Sequence, residues 1–152
     1  MSDARDPVRL SLRLITASRL IEREVDSLMR AHFDSTIARF DFLSALDRHG
    51  ALTLGEVSQY LLVSNGNITQ LRTRLSEDGL IETEADQNDR RVQRVRLTAR
   101  GQSVFNKMTK AHATCVDRLL SDLSQADRQT LTRLLEGAKT SIRRGLELEA
   151  TP

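Results

Sequence analysis

The segment 89–101, DRRVQRVRLTARG, carries five arginines in thirteen positions, although the chain of 152 residues has a formal net charge of only +2. Guanidinium groups bind phosphate and carboxylate oxygens through a planar set of donors. The density alone allows three interpretations: a solvated strand face, an accidental cluster, or a contact surface for a polyanion. The surrounding sequence decides among them.

A second segment with polar chemistry precedes it at residues 53–79, TLGEVSQYLLVSNGNITQLRTRLSEDG. Thr53 and Glu56 have the spacing of a capping box, and Ser64 is placed to cap a second helix. Gly79 suits the C-terminal end of that helix. We therefore predict two short helices joined by a tight turn. Apolar residues face inward from both, namely Leu54, Val57, Tyr60 and Leu61 in the first helix and Ile68, Leu71 and Leu75 in the second.

The opposite side of the second helix is polar and rich in amides, which is typical of a helix that reads base edges in a DNA major groove. Gly66 in its first turn is open to two interpretations: tolerated fraying of the helix end, or close approach of the backbone to DNA. The polar side consists of Gly66, Thr69, Gln70, Thr73 and Glu77, flanked by Asn67 and Arg74.

The remaining reactive side chains do not form a recognisable site. His32, His49, His112 and Cys115 lack the spacing of a catalytic or metal site, and no stretch resembles a phosphate loop or a nucleophile elbow. We therefore expect no enzyme activity, no cofactor and no metal. Cys115 falls on an apolar helix stripe, which favours a buried structural thiol over a redox switch.

Helical periodicity surrounds these segments. Apolar residues recur every three or four positions over 10–28, which predicts a long amphipathic helix. A shorter helix follows at 37–49, and Gly50 is placed to end it. After Thr98, two amphipathic helices run to the end of the chain, and the second begins at Ser124. The predicted buried residues of the short helix are Phe40, Leu43 and Leu46.

Two runs, LIETE and RVQRVRLT, read as β-strands of a hairpin whose tip lies at residues 86–90. Arg94 and Arg96 lie in the second strand, where we expect them to pair with acidic neighbours such as Glu82 or Glu84. A helix–turn–helix followed by such a hairpin is a winged helix. The predicted fold class is mainly α: a winged helix–turn–helix with a two-stranded β wing and long N- and C-terminal dimerisation helices.

The segment GLIETEADQNDRRVQRVRLTARG resembles the wing signature of the MarR family of multiple-antibiotic-resistance-type transcriptional regulators, Asp-x-Arg-x-x-x-Val-x-Leu-Thr-x-x-Gly. The order of elements also matches over essentially the whole chain. The resemblance implies a homodimer whose helices at 8–34 and 99–147 intertwine, while the winged domains at 35–98 contact successive major grooves of a pseudo-palindromic operator in double-stranded DNA. The motif positions are filled by Asp89, Arg91, Val95, Leu97, Thr98 and Gly101.

The resemblance also implies individual roles. Arg91 enters the minor groove and Asp89 holds its guanidinium in place; narrow, electronegative minor grooves favour arginine. Members often carry a further arginine where this chain has Asn88, so the wing contact depends more on Arg90 and Arg91. Amide side chains prefer adenine, so we hypothesise A·T-rich half-sites, each bidentate pair contributing roughly 1–3 kcal/mol of discrimination. The predicted DNA-binding residues are Ser64, Asn65, Asn67, Thr69, Gln70, Arg74, Asp89, Arg90 and Arg91.

A small-molecule effector follows from the same resemblance, which implies a repressor that leaves its operator when a ligand binds. Arg39 or His32 is expected to meet the carboxylate of an aromatic or phenolic acid, or of a related thioester; both can equally be surface charges. The alternative is a helical protein-interaction module without a ligand response, but such a module has no need of a wing. The candidate pocket walls are Met29, His32, Arg39, Phe40 and Leu43.

Composition sets the remaining expectations. Apolar residues make up 39% of the chain and charged residues 29%, and no run approaches the 18 or so apolar residues of a membrane span. The N-terminus lacks the layout of a signal peptide, so we expect a cytoplasmic protein. Aromatic residues account for only 3% of the chain, which argues against base-stacking recognition of single strands or RNA.

Overall fold

The computed structural model describes residues 5–61 and 68–149, and the chain divides into two compact units, Met1–Val116 and Asp117–Pro152. Over the described ranges, the predicted mainly α fold with one two-stranded antiparallel sheet is confirmed. No helix in these ranges is long and apolar enough to cross a membrane. The elements are α1 (Arg5–Phe33), α2 (Ile37–His49), α3 (Leu54–Tyr60), α4 (Ile68–Glu77), β1 (Ile81–Ala85), β2 (Gln93–Leu97), α5 (Ala99–Leu119) and α6 (Gln125–Glu149).

The core of the first unit is centred on α2. The predicted burial of Phe40, Leu43 and Leu46 is confirmed, and Phe42 and Asp41 are buried as well. A single amphipathic stripe would leave the last two exposed, so α2 is enclosed on more sides than its periodicity indicates. The other elements contribute to the same core through Val25, Met29, Val57, Leu75, Val95, Phe105 and Met108.

Only the C-terminal part of α1 enters this core, through Val25 and Met29. The first half of the helix instead presents large apolar side chains to solvent. In the second unit, α6 does the same along most of its length. The exposed apolar residues are Val8, Leu10, Leu12, Ile15 and Leu20 on α1, and Leu131, Leu134, Leu135, Ile142 and Leu146 on α6.

Two of the helices end as their sequences predict. Gly50 follows α2 with a φ of 78°, and Gly79 follows α4 with a φ of 68°. Both values lie in the left-handed region that glycine adopts without steric cost. In the second unit, the Ser124 hydroxyl accepts a hydrogen bond from the Asp127 amide at 3.1 Å and so caps α6, as expected.

The wing is an antiparallel hairpin in which Ile81 pairs with Leu97 and Ala85 with Gln93. Leu52, just before α3, forms an isolated antiparallel β-bridge with Val95 of β2. Its amide donates to the Val95 carbonyl at 3.0 Å, and the Val95 amide donates back at 2.7 Å. The sequence did not predict this pairing, because a single bridging residue has no alternating pattern.

Candidate nucleic-acid interface

The helix–turn–helix begins at the predicted capping box, which is confirmed. Thr53 Oγ1 accepts a hydrogen bond from the Glu56 amide at 3.2 Å, and Glu56 Oε2 accepts one from the Thr53 amide at 2.8 Å. This backbone amide, with Arg94 nearby, lowers the pKa of Glu56. Val57 is fully buried and anchors α3 in the core. The start of α3 is thus fixed both by its cap and by packing.

Tyr60 corrects one sequence prediction. We expected its side chain to face inward, but it is 44% exposed. Its ring stacks on His49, with the two ring centroids 4.0 Å apart. The α3 helix is only seven residues long and ends at Tyr60, so this side chain extends past the core and is only partly covered, by His49 at the end of α2.

Helix α4 separates an apolar and a polar side as predicted. Leu75 is fully buried, whereas Thr69, Gln70 and Arg74 are exposed. The Thr73 hydroxyl donates to the Thr69 carbonyl at 2.9 Å, one turn earlier. The exposed side therefore presents hydroxyl, amide and guanidinium groups together. Three further predicted DNA-binding residues, Ser64, Asn65 and Asn67, lie outside the described residues.

The wing loop is organised by Asp86. One oxygen of its carboxylate accepts hydrogen bonds from the amides of Asn88 at 2.8 Å and Asp89 at 3.1 Å. The loop is closed by backbone bonds from Asp86 to Val92 and from Val92 to Asp89, both 2.9 Å long. Asp side chains commonly stabilise turns in this way. The tip between these bonds consequently has a defined conformation.

Asp89 holds Arg91 at this tip. Its Oδ1 accepts hydrogen bonds from the Arg91 amide at 3.0 Å and from Nε at 3.2 Å, and Oδ2 accepts one from Nη2 at 3.4 Å. The Arg91 side chain is nevertheless 92% exposed. A partly restrained guanidinium loses less rotamer freedom when it binds a further group. Arg90, beside it, is also exposed.

The two arginines of β2, Arg94 and Arg96, form separate sets of ion pairs. As predicted, Arg96 pairs with both Glu82 at 2.8 Å and Glu84 at 3.0 Å. For Arg94 the predicted partners were wrong, because it pairs with Asp86 and with Glu56 of α3. Glu84 lies opposite Arg94 in the register, but its carboxylate is engaged by Arg96.

A cavity of about 540 Å³ lies among α1, α2 and α5 in the first unit. The Phe40 ring is 5.5 Å from Phe105 and 5.1 Å from His112, measured between centroids. Burial lowers the pKa of His112, which favours its neutral form. The lining consists of Ser18, Ile21, Glu22, Val25, Ile37, Phe40, Asp41, Ser44, Asp47, Arg48, Phe105, Thr109 and His112.

Of the five residues suggested for a ligand pocket, only Phe40 lines this cavity. Met29 and Leu43 are fully buried in the core. Arg39 forms an ion pair with Asp78, and His32 is exposed in the last turn of α1. Sequence reasoning missed the ring contributed by His112 and the guanidinium of Arg48, because helix periodicity does not show which faces of three helices meet.

The described residues contain no group of three or more His, Cys, Asp or Glu side chains arranged to hold a metal ion. The thiol of Cys115 is buried, as its place on an apolar stripe predicted.

A helix–turn–helix followed by a β hairpin, between long helices, defines a protein of the winged-helix class. A sequence model of the MarR family matches residues 33–92. The HTH-type transcriptional repressor IacR of Pseudomonas putida is 30% identical over 103 residues, which make up 68% of this chain and 62%, less than two thirds, of that protein. The HTH-type transcriptional regulator MhqR of Bacillus subtilis is 26% identical, with 83% of this chain and 89% of that protein covered.

Solved structures agree in fold. A MarR family transcriptional regulator from Silicibacter pomeroyi superimposes with a TM-score of 0.79 at 25% identity, covering 93% of this chain and 98% of that one. A mutant MarR from E. coli, solved in complex with operator DNA, gives a TM-score of 0.74 at 24% identity, covering 90% and 99% of the two chains. The chain belongs to the MarR family of winged helix–turn–helix transcriptional regulators.

Proposed function

We propose that this chain binds double-stranded DNA and regulates transcription in the cytoplasm, without catalysing a reaction. The observation that carries the proposal is the Asp89–Arg91 pair, which holds an almost fully exposed guanidinium at the tip of a closed loop. The related E. coli protein has been solved with operator DNA bound, and its fold matches this one. In the proposed complex, Arg91 enters the minor groove while α4 lies in the adjacent major groove.

The proposal assigns base contacts to the polar side of α4, through Thr69 and Gln70, and a phosphate contact to Arg74. Hydroxyl and amide groups on an exposed helix side match the donor and acceptor pattern of base edges. Arg90 adds a second phosphate contact at the wing. Ser64, Asn65 and Asn67 belong to the same proposed surface on the basis of the sequence alone.

A second copy of the chain is the proposed cover for the apolar residues that α1 and α6 expose. Contiguous apolar surface on a soluble chain marks an interaction site, and homodimers commonly bury such helices. Two winged domains held in this way would meet two half-sites of a pseudo-palindromic operator, about one helical turn apart. This arrangement assigns α1, α5 and α6 to dimerisation, in segments 8–34 and 99–147, and the winged helix–turn–helix at 35–98 to DNA.

Regulation is proposed to be repression, relieved when a small aromatic acid or phenolic acid occupies the cavity. The rings of Phe40 and Phe105 supply a surface for an aromatic group. Arg48 is the guanidinium in the lining, and we assign it the role that the sequence suggested for Arg39 or His32. A ligand that binds one dimer conformation more tightly changes half-site spacing and lowers operator affinity. No chemistry on the ligand is involved.

The DNA proposal is tested by fluorescence anisotropy with DNA from the region upstream of the chain's own gene, at several salt concentrations. Wild type should bind with a Kd of roughly 10⁻⁸ M or tighter. Arg91→Ala should weaken binding by roughly ten- to a hundredfold. Arg100→Ala is the matched control, because it removes an exposed guanidinium of the same cluster outside the wing loop. Wild-type binding that lacks salt dependence, or an Arg91→Ala variant that binds like wild type, would contradict the proposal.

The effector site is tested with 4-hydroxybenzoate as the probe, by calorimetry and by release of bound DNA. We expect Arg48→Met to abolish both responses. Arg39→Met removes a guanidinium that does not line the cavity and should leave both responses intact. If Arg39→Met abolished both responses and Arg48→Met left them intact, the ligand site would lie among the residues around Arg39.

A further inference from the structure

Arg94 joins three parts of the winged domain through one guanidinium. Its Nε donates to Asp86 Oδ2 at 2.5 Å, at the start of the wing loop. Its Nη1 donates to Glu56 Oε2 at 2.9 Å, in the first turn of α3, and to the Ala51 carbonyl at 3.3 Å. The fork geometry of arginine allows one side chain to fix several acceptors at once. The wing loop and the start of the helix–turn–helix are therefore tied to each other.

Both carboxylates that Arg94 contacts are themselves fixed. Glu56 completes the capping box of α3, and Asp86 also accepts two backbone amides of the wing loop. The Arg94 hydrogen bond, with those two amides, lowers the pKa of Asp86 to about 2. The side chains of Arg94 and Asp86 are only 30% and 15% exposed, so water screens their attraction less than it screens a surface pair. The linkage stays charged at neutral pH.

Arg96 provides an internal comparison. It lies two residues along the same strand and pairs with Glu82 and Glu84, which both belong to the hairpin. Its ion pairs stabilise the hairpin internally, whereas those of Arg94 connect the hairpin to α3. The Leu52–Val95 backbone pair fixes the middle of β2, and Arg94 adds a tie on the side of the strand that leads to the tip.

We propose that Arg94 is a positioning residue for DNA binding: it sets the wing tip against the helix–turn–helix, so that Arg91 and α4 reach the duplex together. The inference rests on the proposed function. Position 88 in the wing loop is the uncharged Asn88, so the positive charge of the loop is carried by Arg90 and Arg91, and their reach to the DNA depends on where the tip lies. Arg94 acts through Asp86 and the loop it organises, and makes no contact with DNA itself.

The test compares Arg94→Met with Arg96→Met in the full chain, using the same upstream DNA over a series of salt concentrations. Arg94→Met should weaken binding roughly tenfold, because Arg91 no longer reaches the DNA in the correct position. Arg96→Met removes an equal charge from the same strand and should bind within about twofold of wild type. A decrease of about one in the salt slope on adding Arg94→Met to the Arg91→Ala variant would reveal a direct phosphate contact of Arg94 and overturn the positioning role.

A double-mutant cycle that combines Arg94→Met with Arg91→Ala tests whether Arg94 affects DNA binding through Arg91. If Arg94 acts by placing the tip, Arg94→Met should weaken DNA binding by less than about twofold in the Arg91→Ala background. Equal losses from Arg94→Met in both backgrounds would overturn the proposal. Circular dichroism and thermal unfolding establish that each variant is folded. If Arg94→Met is unfolded, Asp86→Asn replaces it in the cycle, with the same expected direction.

The two proposals fail in different ways. Wild type that does not bind the DNA, or Arg91→Ala that binds like wild type, removes the proposed function. A different pair of results would remove only the positioning role. In that case Arg91→Ala binds weakly, which supports the proposed function, but Arg94→Met binds as well as Arg96→Met.

Discussion

The carbonyl oxygen of Leu80 lies where a side chain at Gly101 would begin: a Cβ at position 101 would be 1.8 Å from this oxygen and 2.8 Å from the carbonyl carbon. The same oxygen accepts a hydrogen bond from the Thr98 amide at 3.1 Å. The Thr98 hydroxyl donates to the Gly79 carbonyl at 2.6 Å and accepts from the Gly101 amide at 2.9 Å. The first turn of α5 thus packs directly against the backbone that links α4 to β1.

Gly101→Ala should therefore destabilise the fold by about 1–3 kcal/mol, because backbone atoms must move to admit the methyl group. The measurement is urea unfolding followed by circular dichroism. Gly55→Ala is the matched control: it lies in a helix, and the nearest atom to its Cβ would be 3.9 Å away. The control should be neutral or stabilised by up to about 1 kcal/mol. A Gly101→Ala variant as stable as wild type would show that the contact relaxes at no cost.

Stability should decrease in acid in a way that depends on Asp86. Its pKa is lowered to about 2 in the folded chain, whereas an unfolded aspartate titrates near about 3.9. The unfolded state therefore takes up the proton first, so the contribution of Asp86 is present above pH ~4 and is lost as pH falls towards ~2. Urea midpoints measured from pH 5 to pH 2 should fall less steeply for Asp86→Asn and for Arg94→Met than for wild type. Equal slopes in all three chains would contradict the assignment.

Arg74, exposed near the end of α4, should contribute a phosphate contact and no base specificity. Arg74→Ala should weaken binding to operator and to unrelated DNA alike, and should reduce the slope of log K against log salt by about one. Lys139→Ala on α6 removes one positive charge from an ion pair with Glu136 and should leave the slope unchanged. Loss of specificity with an unchanged slope would instead assign Arg74 to a base.

Leu134 on α6 is 56% exposed and should be covered by the second copy in the proposed dimer. Leu134→Glu places a charge in that interface and should raise the dimer Kd by roughly thirtyfold or more, as measured by sedimentation. Gln129→Glu adds the same charge to an exposed polar position on the opposite side of the same helix and should remain dimeric. Operator binding should weaken only in the first variant. A fully dimeric Leu134→Glu would place the interface elsewhere.

Features formed by near neighbours in the chain were predictable from the sequence. The Thr53–Glu56 capping box and the Ser124 cap each join residues three positions apart, so their spacing alone specifies the hydrogen bonds. The hairpin follows from two alternating runs with a polar loop between them. The ion pair between Asp89 and Arg91 was implied by the resemblance to the wing signature, and the structure contains it.

Tertiary packing decided the contacts between distant residues. Arg94 had several carboxylates within reach, and it pairs with Glu56, 38 positions earlier, because the sheet and α3 meet there. Gly101 belongs to the motif, but only the approach of the Leu80 carbonyl explains why a side chain at position 101 is unfavourable. The spacing of residues along one helix predicts which of them share a face. The element that packs against that face is decided by the packing of all the side chains together.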